Sequence, residues 1–409
     1  MILRRGIVCG LWLAVGMIAR SGAVADGVPD ARFVQDRFCI SFWVDPPADE
    51  NMDAHYRRIA EAHFTVVVGG FGARMPEQVE RQLALCEKYD LKAIVAGGEQ
   101  PADTLPTGPA CWGYKVRDEP SADEFPALAE QAAAIRKARP GKLAFINLYP
   151  SHASPAHWGA DSYEGHVANY VEMVKPDVLC FDRYPLMRPD IDERDGYLEN
   201  LDIIRRHALR AGIPFWNFFN TMPYGRHFDP TEAQLRWQIY TSLAYGARGV
   251  LYFCYWTPVG REFPKGGAII THDGQPTRHY DQARRINARL KNLGPTLMRL
   301  ASTGVYRIEP DQNAAEILAA TPIKELTDGD YLVGVFTHED GRSAVLLNNY
   351  RFAYTAWPTV TFRADHARIT EVDQDTGKEV PLRDDSPAME GTQISLDAGQ
   401  GRLFLMPAP

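Results

Sequence analysis

Apolar and β-branched runs recur through the first two thirds of the chain. They are FCISFWV (38–44), FTVVVGG (64–70), LKAIVAG (91–97), CWGYKVR (111–117), LAFINLY (143–149), DVLCFDR (177–183), IPFWNFF (213–219) and GVLYFCYW (249–256). Their spacing, roughly 30 residues, is the length of a strand–helix unit. The intervening segments carry helical periodicity: Val79, Leu83 and Cys86 share a face, as do Leu198, Leu201 and Ile204, and Ile286, Leu290 and Leu293. Helix starts are marked by Ser121 with Glu124, a capping box, and by the run Asp229-Pro230-Thr231-Glu232. Residues 98–110, rich in proline and glycine, predict no helix. Eight alternating units predict a TIM (β/α)8 barrel over residues 36–298. A doubly wound open sheet is the competitor, but no glycine-rich phosphate fingerprint follows the first strand.

Beyond Pro295 the period changes to short strands: YLVGVFTH, SAVLLNNY, TVTFRA, RITEVDQ and RLFLMP, separated by turns such as Glu339-Asp340-Gly341. Residues 300–409 therefore predict a β-sandwich with alternating inward and outward side chains. The N-terminus reads differently again. Arg4 and Arg5 precede an apolar stretch and then Ala23-Val24-Ala25, which predicts a signal peptide over residues 1–25 and a secreted or periplasmic protein. The stretch is too short to span a bilayer comfortably.

Charge narrows the partners. The formal net charge is −8, and losing the leader with its three arginines would make it −11. An acidic chain without a basic run argues against nucleic acid and, once the leader is cleaved, against a membrane partner. Oligomeric state is not encoded in any pattern here. Cys39, Cys86, Cys111, Cys180 and Cys254 remain after the leader, odd in number and without a CxxC pair, and read as core residues. No HExxH, His/Cys cluster or GxSxG elbow is present, so no metal and no cofactor is expected.

Chemistry in a barrel sits at the C-terminal strand ends. Those ends carry Trp43 and Asp45, Phe71, Asp118 and Glu119, Asn147 and Tyr149, Asp182 and Tyr184, then Trp216, Asn217 and Asn220, and finally Tyr255 and Trp256. Carboxylates and amides suit sugar hydroxyls, and flat aromatics suit the C–H faces of pyranose rings, so the predicted partner is a carbohydrate. Cleaving a glycosidic bond takes two carboxyl groups. Glu119 is the candidate general acid, ending strand four just before the Ser121 helix start. Its alternative is a plain helix N-terminal charge. Asp182 is the candidate second carboxylate, its alternative a structural loop anchor. Asp118 should point away from Glu119 by strand alternation and act as a substrate-positioning group. Asp45 and Glu262 are further acids. Asp45, Asp118, Asn147, Tyr149, Tyr184, Trp216, Asn220, Tyr255 and Trp256 form the expected substrate-binding set, the aromatics among them having a core role as their alternative.

On these motifs the chain resembles secreted bacterial glycoside hydrolases of the retaining (β/α)8 clan A type, nearest to a beta-galactosidase-like and cellulase-like group. The resemblance rests on DEP after strand four, NLYP after strand five, DRYP after strand six, and LAYGARG leading into VLYFCYW. It implies O-glycosyl hydrolysis with Glu119 as acid/base, and a small β-domain behind the barrel. Two positions depart from the pattern. Asp118 stands where asparagine is usual, and WNFFNTM, after strand seven, lacks the nucleophilic glutamate. Asp182 or another acid then takes the second role, with an inverting mechanism open to it, or the barrel holds glycans without cleaving them.

Overall fold

A computed structural model describes residues 31–98, 100–188, 192–260, 263 and 267–408. The leader read at residues 1–25, and Glu262, lie outside the described residues. Eight parallel strands follow each other around a barrel: β1 (Cys39–Phe42), β2 (Val66–Val68), β3 (Lys92–Ala96), β4 (Cys111–Asp118), β5 (Leu143–Leu148), β6 (Leu179–Asp182), β7 (Phe215–Asn220) and β8 (Gly249–Phe253). β8 pairs back onto β1. The β1–β2 seam is closed by Thr65, whose N–H donates to Ile40 O at 2.9 Å. Its hydroxyl accepts from Ile40 N and donates to Phe38 O, both at 2.8 Å.

The helices of the barrel region are α1 (Met52–Glu61), α2 (Pro76–Lys88), α3 (Phe125–Ala138), α4 (Pro155–Trp158), α5 (Tyr163–Val174), α6 (Arg194–Ala211), α7 (Glu232–Ala244) and α8 (Arg278–Leu297). None lies between β3 and β4 among the described residues. That stretch is a loop pinned at its carbonyls, by the Tyr114 hydroxyl on Pro106 O at 2.6 Å and by Arg139 Nε on Leu105 O at 2.8 Å. Thr231 caps α7, its hydroxyl accepting from Gln234 N–H. Pro230 therefore precedes the cap instead of following it.

Strand alternation divides the barrel into two layers. Ile40, Phe42, Val67, Ala93, Val95, Ile146, Phe181, Phe219, Val250 and Tyr252 face the helices. Cys39, Val66, Val68, Ile94, Phe145, Cys180, Trp216, Phe218 and Leu251 fill the interior. A buried strand with both faces covered reads as a continuous apolar run, which is why these eight were legible. The five described cysteines are buried free thiols. Among the described residues no helix is long and apolar enough to cross a membrane.

After α8 the chain builds β9 (Leu300–Ile308), β10 (Ile323–Leu326), β11 (Tyr331–His338), β12 (Ser343–Asn349), β13 (Thr359–Phe362), β14 (Thr370–Val372), β15 (Glu379–Pro381), β16 (Thr392–Gln393) and β17 (Gly401–Met406). Six of these form an antiparallel sheet, β15-β14-β17-β12-β11-β9, and three form another, β10-β13-β16. A further short helix, α9 (Ala314–Leu318), follows β9. Val333, Val345, Leu347, Val360, Phe362 and Phe404 pack between the two sheets. The alternation expected of these strands fails in the larger sheet. Leu332, Phe336, Ala344, Leu346, Leu403 and Leu405, on its other face, join the core that surrounds the barrel. Helix α7 meets that face and is buried almost all round, from Leu235 through Ala244. Asn348 Nδ2 donates to Tyr240 O at 2.7 Å across this contact.

Candidate active site

The site grows from the way β4 ends. Pairing with β5 is interrupted by a bulge between Lys115 and Arg117, after which Asp118 lies opposite Asn147. A bulge shifts the facing of everything beyond it, so Asp118 points into the barrel beside Asn147. The next residue leaves the strand altogether. Glu119 has φ of 47°, left-handed backbone at a residue with a Cβ, which costs roughly 1–2 kcal/mol. Its N–H donates to Asn147 O at 2.8 Å, holding that turn. The expectation that Asp118 and Glu119 face opposite ways is therefore corrected: both line one cavity, because the chain is not extended at Glu119. Val44, leaving β1 beside the same cavity, is also left-handed, with φ of 64°. Such strain concentrates where function requires an unusual chain path.

The cavity holds about 210 Å³ and is lined by Trp43, Asp118, Glu119, Asn147, Asp182, Tyr184, Phe218, Tyr224 and Phe253. Its lining is divided by strand. β4, β5 and β6 supply Asp118, Glu119, Asn147 and Asp182. β1, β7 and β8, with the loops after β6 and β7, supply Trp43, Phe218, Phe253, Tyr184 and Tyr224, Tyr184 packing against Phe253 and Tyr224. At the level of Asp182 the neighbouring strand presents Phe218. One wall is thus carboxyl and amide, the other aromatic.

Asn147 ties the polar wall together. Its Nδ2 donates to Asp182 Oδ1 at 3.0 Å and to Asp118 Oδ1 at 3.2 Å. The carboxyl groups of Glu119 and Asp182 lie close enough to hydrogen-bond to one another when one of them is protonated. Glu119 is raised from the ordinary carboxyl value to about 7, by burial first and then by the charge of Asp118. Asp182 is raised well above its usual range by burial, then by Glu119 and Asp118. Asp118 opens toward solvent along the cavity, yet enough protein surrounds it to raise its carboxyl as well; the Asn147 hydrogen bond and Lys115 oppose that rise. The candidate acid and the candidate second carboxylate thus lie together along one wall.

Several expected substrate-binding residues lie elsewhere. Asp45 is buried and accepts from three loop amides, Phe71 N at 2.8 Å, Gly72 N at 3.0 Å and Ala73 N at 3.3 Å. It latches the loop after β2. Trp216 sits low in the barrel interior, fully buried, with Nε1 donating to Gln35 Oε1 at 3.0 Å. Asn220 is also fully buried and donates from Nδ2 to Phe228 O at 3.2 Å, fastening the loop after β7. Tyr255 stacks on Phe42 at 4.4 Å in the layer between barrel and helices. Trp256 packs edge-on against His55 of α1, outside the cavity lining. Aromatic and polar identity at a strand end did not reveal these facings, because strands of different length expose different residues at the rim.

Tyr149 stands at the rim, its ring edge-on to His157 at 5.6 Å and its hydroxyl within the field of Glu119. Tyr184 lines the cavity and packs against Phe253 at 5.1 Å. Arg117 pairs with Glu124 at 2.7 Å, and Glu124 also accepts from Ser121 N–H at 3.0 Å, so the capping residue and the arginine brace the start of the α3 segment. Sequence reasoning missed Phe218, Tyr224, Phe253 and Lys115. The charge of Lys115 within an otherwise apolar strand was a usable signal; the other three look like any core aromatic. No cluster of three or more His, Cys, Asp or Glu side chains suited to a metal ion occurs among the described residues.

The sequence matches no protein-family model and no curated protein. Among solved structures the chain is similar to a catalytic mutant of Gan42B, a GH42 beta-galactosidase from G. stearothermophilus, with a TM-score of 0.63 at 9% identity over 92% of this chain and 100% of that one. It is also similar to a beta-galactosidase from Bacillus circulans sp. alkalophilus, with a TM-score of 0.58 at 10% identity over 90% of this chain and 99% of that one. At such identity the likeness is one of fold: a parallel eight-stranded barrel followed by antiparallel sheets.

Proposed function

We propose that this protein is a glycoside hydrolase that cleaves O-glycosidic bonds in an oligo- or polysaccharide, with Glu119 as general acid. The observation that carries the reading is the Glu119 carboxyl, raised to about 7 and hydrogen-bonded to Asp182, on the polar wall of a cavity whose other wall is aromatic. A sugar ring fits such a division: hydroxyls toward Asp118, Asn147 and the carboxyl pair, ring face toward Trp43 and the β7–β8 aromatics. A proton held near neutrality suits transfer to a leaving glycosidic oxygen.

The role of Asp182 follows from its contact with Glu119. Two carboxyl groups that flank a glycosidic bond stand about 5–5.5 Å apart for retention and about 6.5–9.5 Å for inversion. Direct hydrogen bonding is closer than either, so Asp182 acts here through Glu119, its contact drawing the Glu119 carboxyl down against the rise from burial and Asp118. Asp118, on the same wall with an open side, is the remaining cavity carboxylate available to a water or a sugar carbon. Export, read from residues 1–25, belongs to the same proposal, since polymeric glycans are met outside the cell.

The test is a panel of chromogenic glycosides and polysaccharides assayed for released chromophore and new reducing ends, with wild type and Glu119→Gln. Turnover in wild type and its loss in Glu119→Gln is the expected result. Sugar binding without reducing ends from any substrate would sink the hydrolase reading and leave a glycan-binding barrel. Periplasmic or culture-medium recovery of a protein lacking residues 1–25 checks export.

A further inference from the structure

We propose that Lys115 is a substrate-binding residue of this site, its ammonium donating to a hydroxyl of a neutral sugar seated against Trp43. This rests on the carbohydrate reading of the cavity and adds to it a residue and a substrate class. Lys115 lies opposite Phe145 in the β4–β5 register, and Asp118 lies opposite Asn147. Both partners face inward, so the bulge between them puts Lys115 and Asp118, three residues apart, on the same face of the strand. Without it, residues at that spacing would point to opposite sides.

The ammonium is held by ring faces. Nζ lies 4.4 Å from the Trp43 ring centroid and 3.9 Å from that of Phe71. Trp43 in turn lines the carboxyl cavity, so one indole serves both. Gly70, with φ of 98°, passes close by; a Cβ there would sit 3.5 Å from Lys115 Nζ. Aromatic faces stabilise a positive charge but offer no lone pair to its N–H bonds. No described residue accepts a hydrogen bond from Nζ. Of the two carboxylates that attract it, Asp45 has both oxygens on the loop amides and Asp118 has Oδ1 on Asn147. A half-buried ammonium without a protein acceptor, one indole away from a ligand-sized space, is suited to an oxygen acceptor brought by a ligand that reaches past Trp43.

Charge decides what kind of acceptor. The groups facing Lys115 are Asp118 and Asp45, which attract it, and Arg74, which repels it. Two carboxylates already face one ammonium, and the Glu119–Asp182 pair lies beyond them. A sugar carboxylate would add a further anion to that set, whereas a hydroxyl supplies a lone pair without charge.

Isothermal titration with galactose, glucose, mannose and xylose, and with galacturonic and glucuronic acids as the charged arm, tests this on wild type, Lys115→Met and Lys115→Arg. Methionine keeps the stem that packs between Trp43 and Phe71 and removes the donors. A neutral sugar should bind wild type, and Lys115→Met should raise its Kd at least tenfold, as loss of a hydrogen bond from a charged donor does. One deoxy analogue of that sugar should lose the same factor in wild type and nothing in Lys115→Met, which identifies the hydroxyl. Should Lys115→Met not fold, the deoxy series on wild type and Lys115→Arg replaces it, arginine retaining the penalty only if the donor contact is real. Unchanged affinity in Lys115→Met, an equal deoxy penalty in wild type and variant, or an acid binding tighter than its neutral parent overturns the proposal, as does absence of binding by every sugar. Because binding is read without turnover, sugar bound through Lys115 but never cleaved defeats only the hydrolase reading. Hydrolysis with normal affinity in Lys115→Met defeats only this one.

Discussion

At the scale of single residues the protein turns on one backbone exit. Glu119 occupies left-handed backbone without being glycine, and that turn brings its carboxyl to Asp182. If Glu119 delivers the proton, kcat/KM should be level below its raised value and fall as pH rises through about 7, where the acid form is lost. Glu119→Gln should lower kcat by about 10²–10⁴ below pH 7, the usual contribution of a general acid, and by less at higher pH, where wild type has lost the proton too. The same groups bear on stability. Both carboxyls are raised in the folded chain, so between the ordinary carboxyl value and about 7 the folded state holds protons that the unfolded state has released. Stability from this pair is present at low pH and declines as pH rises across that window. Asp182→Asn removes one charge from the pair, so thermal melts should show it gaining on wild type at pH 8 relative to pH 5, by roughly 2 °C. A gain of equal size at both pH values would mean that the pair carries no shared proton.

At the scale of elements, strand ends and loops are fastened by side chains that look catalytic in sequence. Asp45 is the clearest case, an acid at a barrel strand end whose oxygens are taken by the loop amides of residues 71–73. Asp45→Ala leaves those amides without their acceptor in a buried place, a cost of about 1–3 kcal/mol. Urea denaturation should register that loss as a lower midpoint with an unchanged slope. A midpoint equal to wild type would show that water satisfies the loop and that Asp45 is available for other work. The eight strands and most helices were legible because each strand is apolar on both faces and each helix shows its period. The facing of individual side chains at the rim was not, since a bulge in β4 and a left-handed turn at Glu119 depend on pairing with β5.

At the scale of the molecule, the barrel and the following sheets share one core. Leu332, Leu346 and Leu403 of the larger sheet belong to the same buried cluster as Leu235, Trp237 and Leu243 of α7. A helix buried on nearly every side, with Leu235, Trp237, Ile239, Tyr240 and Leu243 among its buried residues, cannot turn a face to water without exposing apolar surface. A chain ending at Met298 uncovers that face, so residues 31–298 expressed alone should aggregate, which gel filtration of the soluble fraction would show. A soluble monomer melting like the full chain would make the sheets a passenger.

What the sequence determined by itself was the order of the barrel strands, the change of architecture after Pro295, and the grouping of Asp118, Glu119, Asn147, Asp182 and Tyr184 at neighbouring strand ends. These follow from local periodicity and from where barrels expose their strand ends, both readable along the chain. Tertiary structure alone decided that Glu119 and Asp182 touch, that Asp45, Trp216, Asn220 and Tyr255 are structural, and that Lys115 shares a face with Asp118. Each of those depends on register between strands far apart in sequence, and a shift of one residue reverses which way a side chain points.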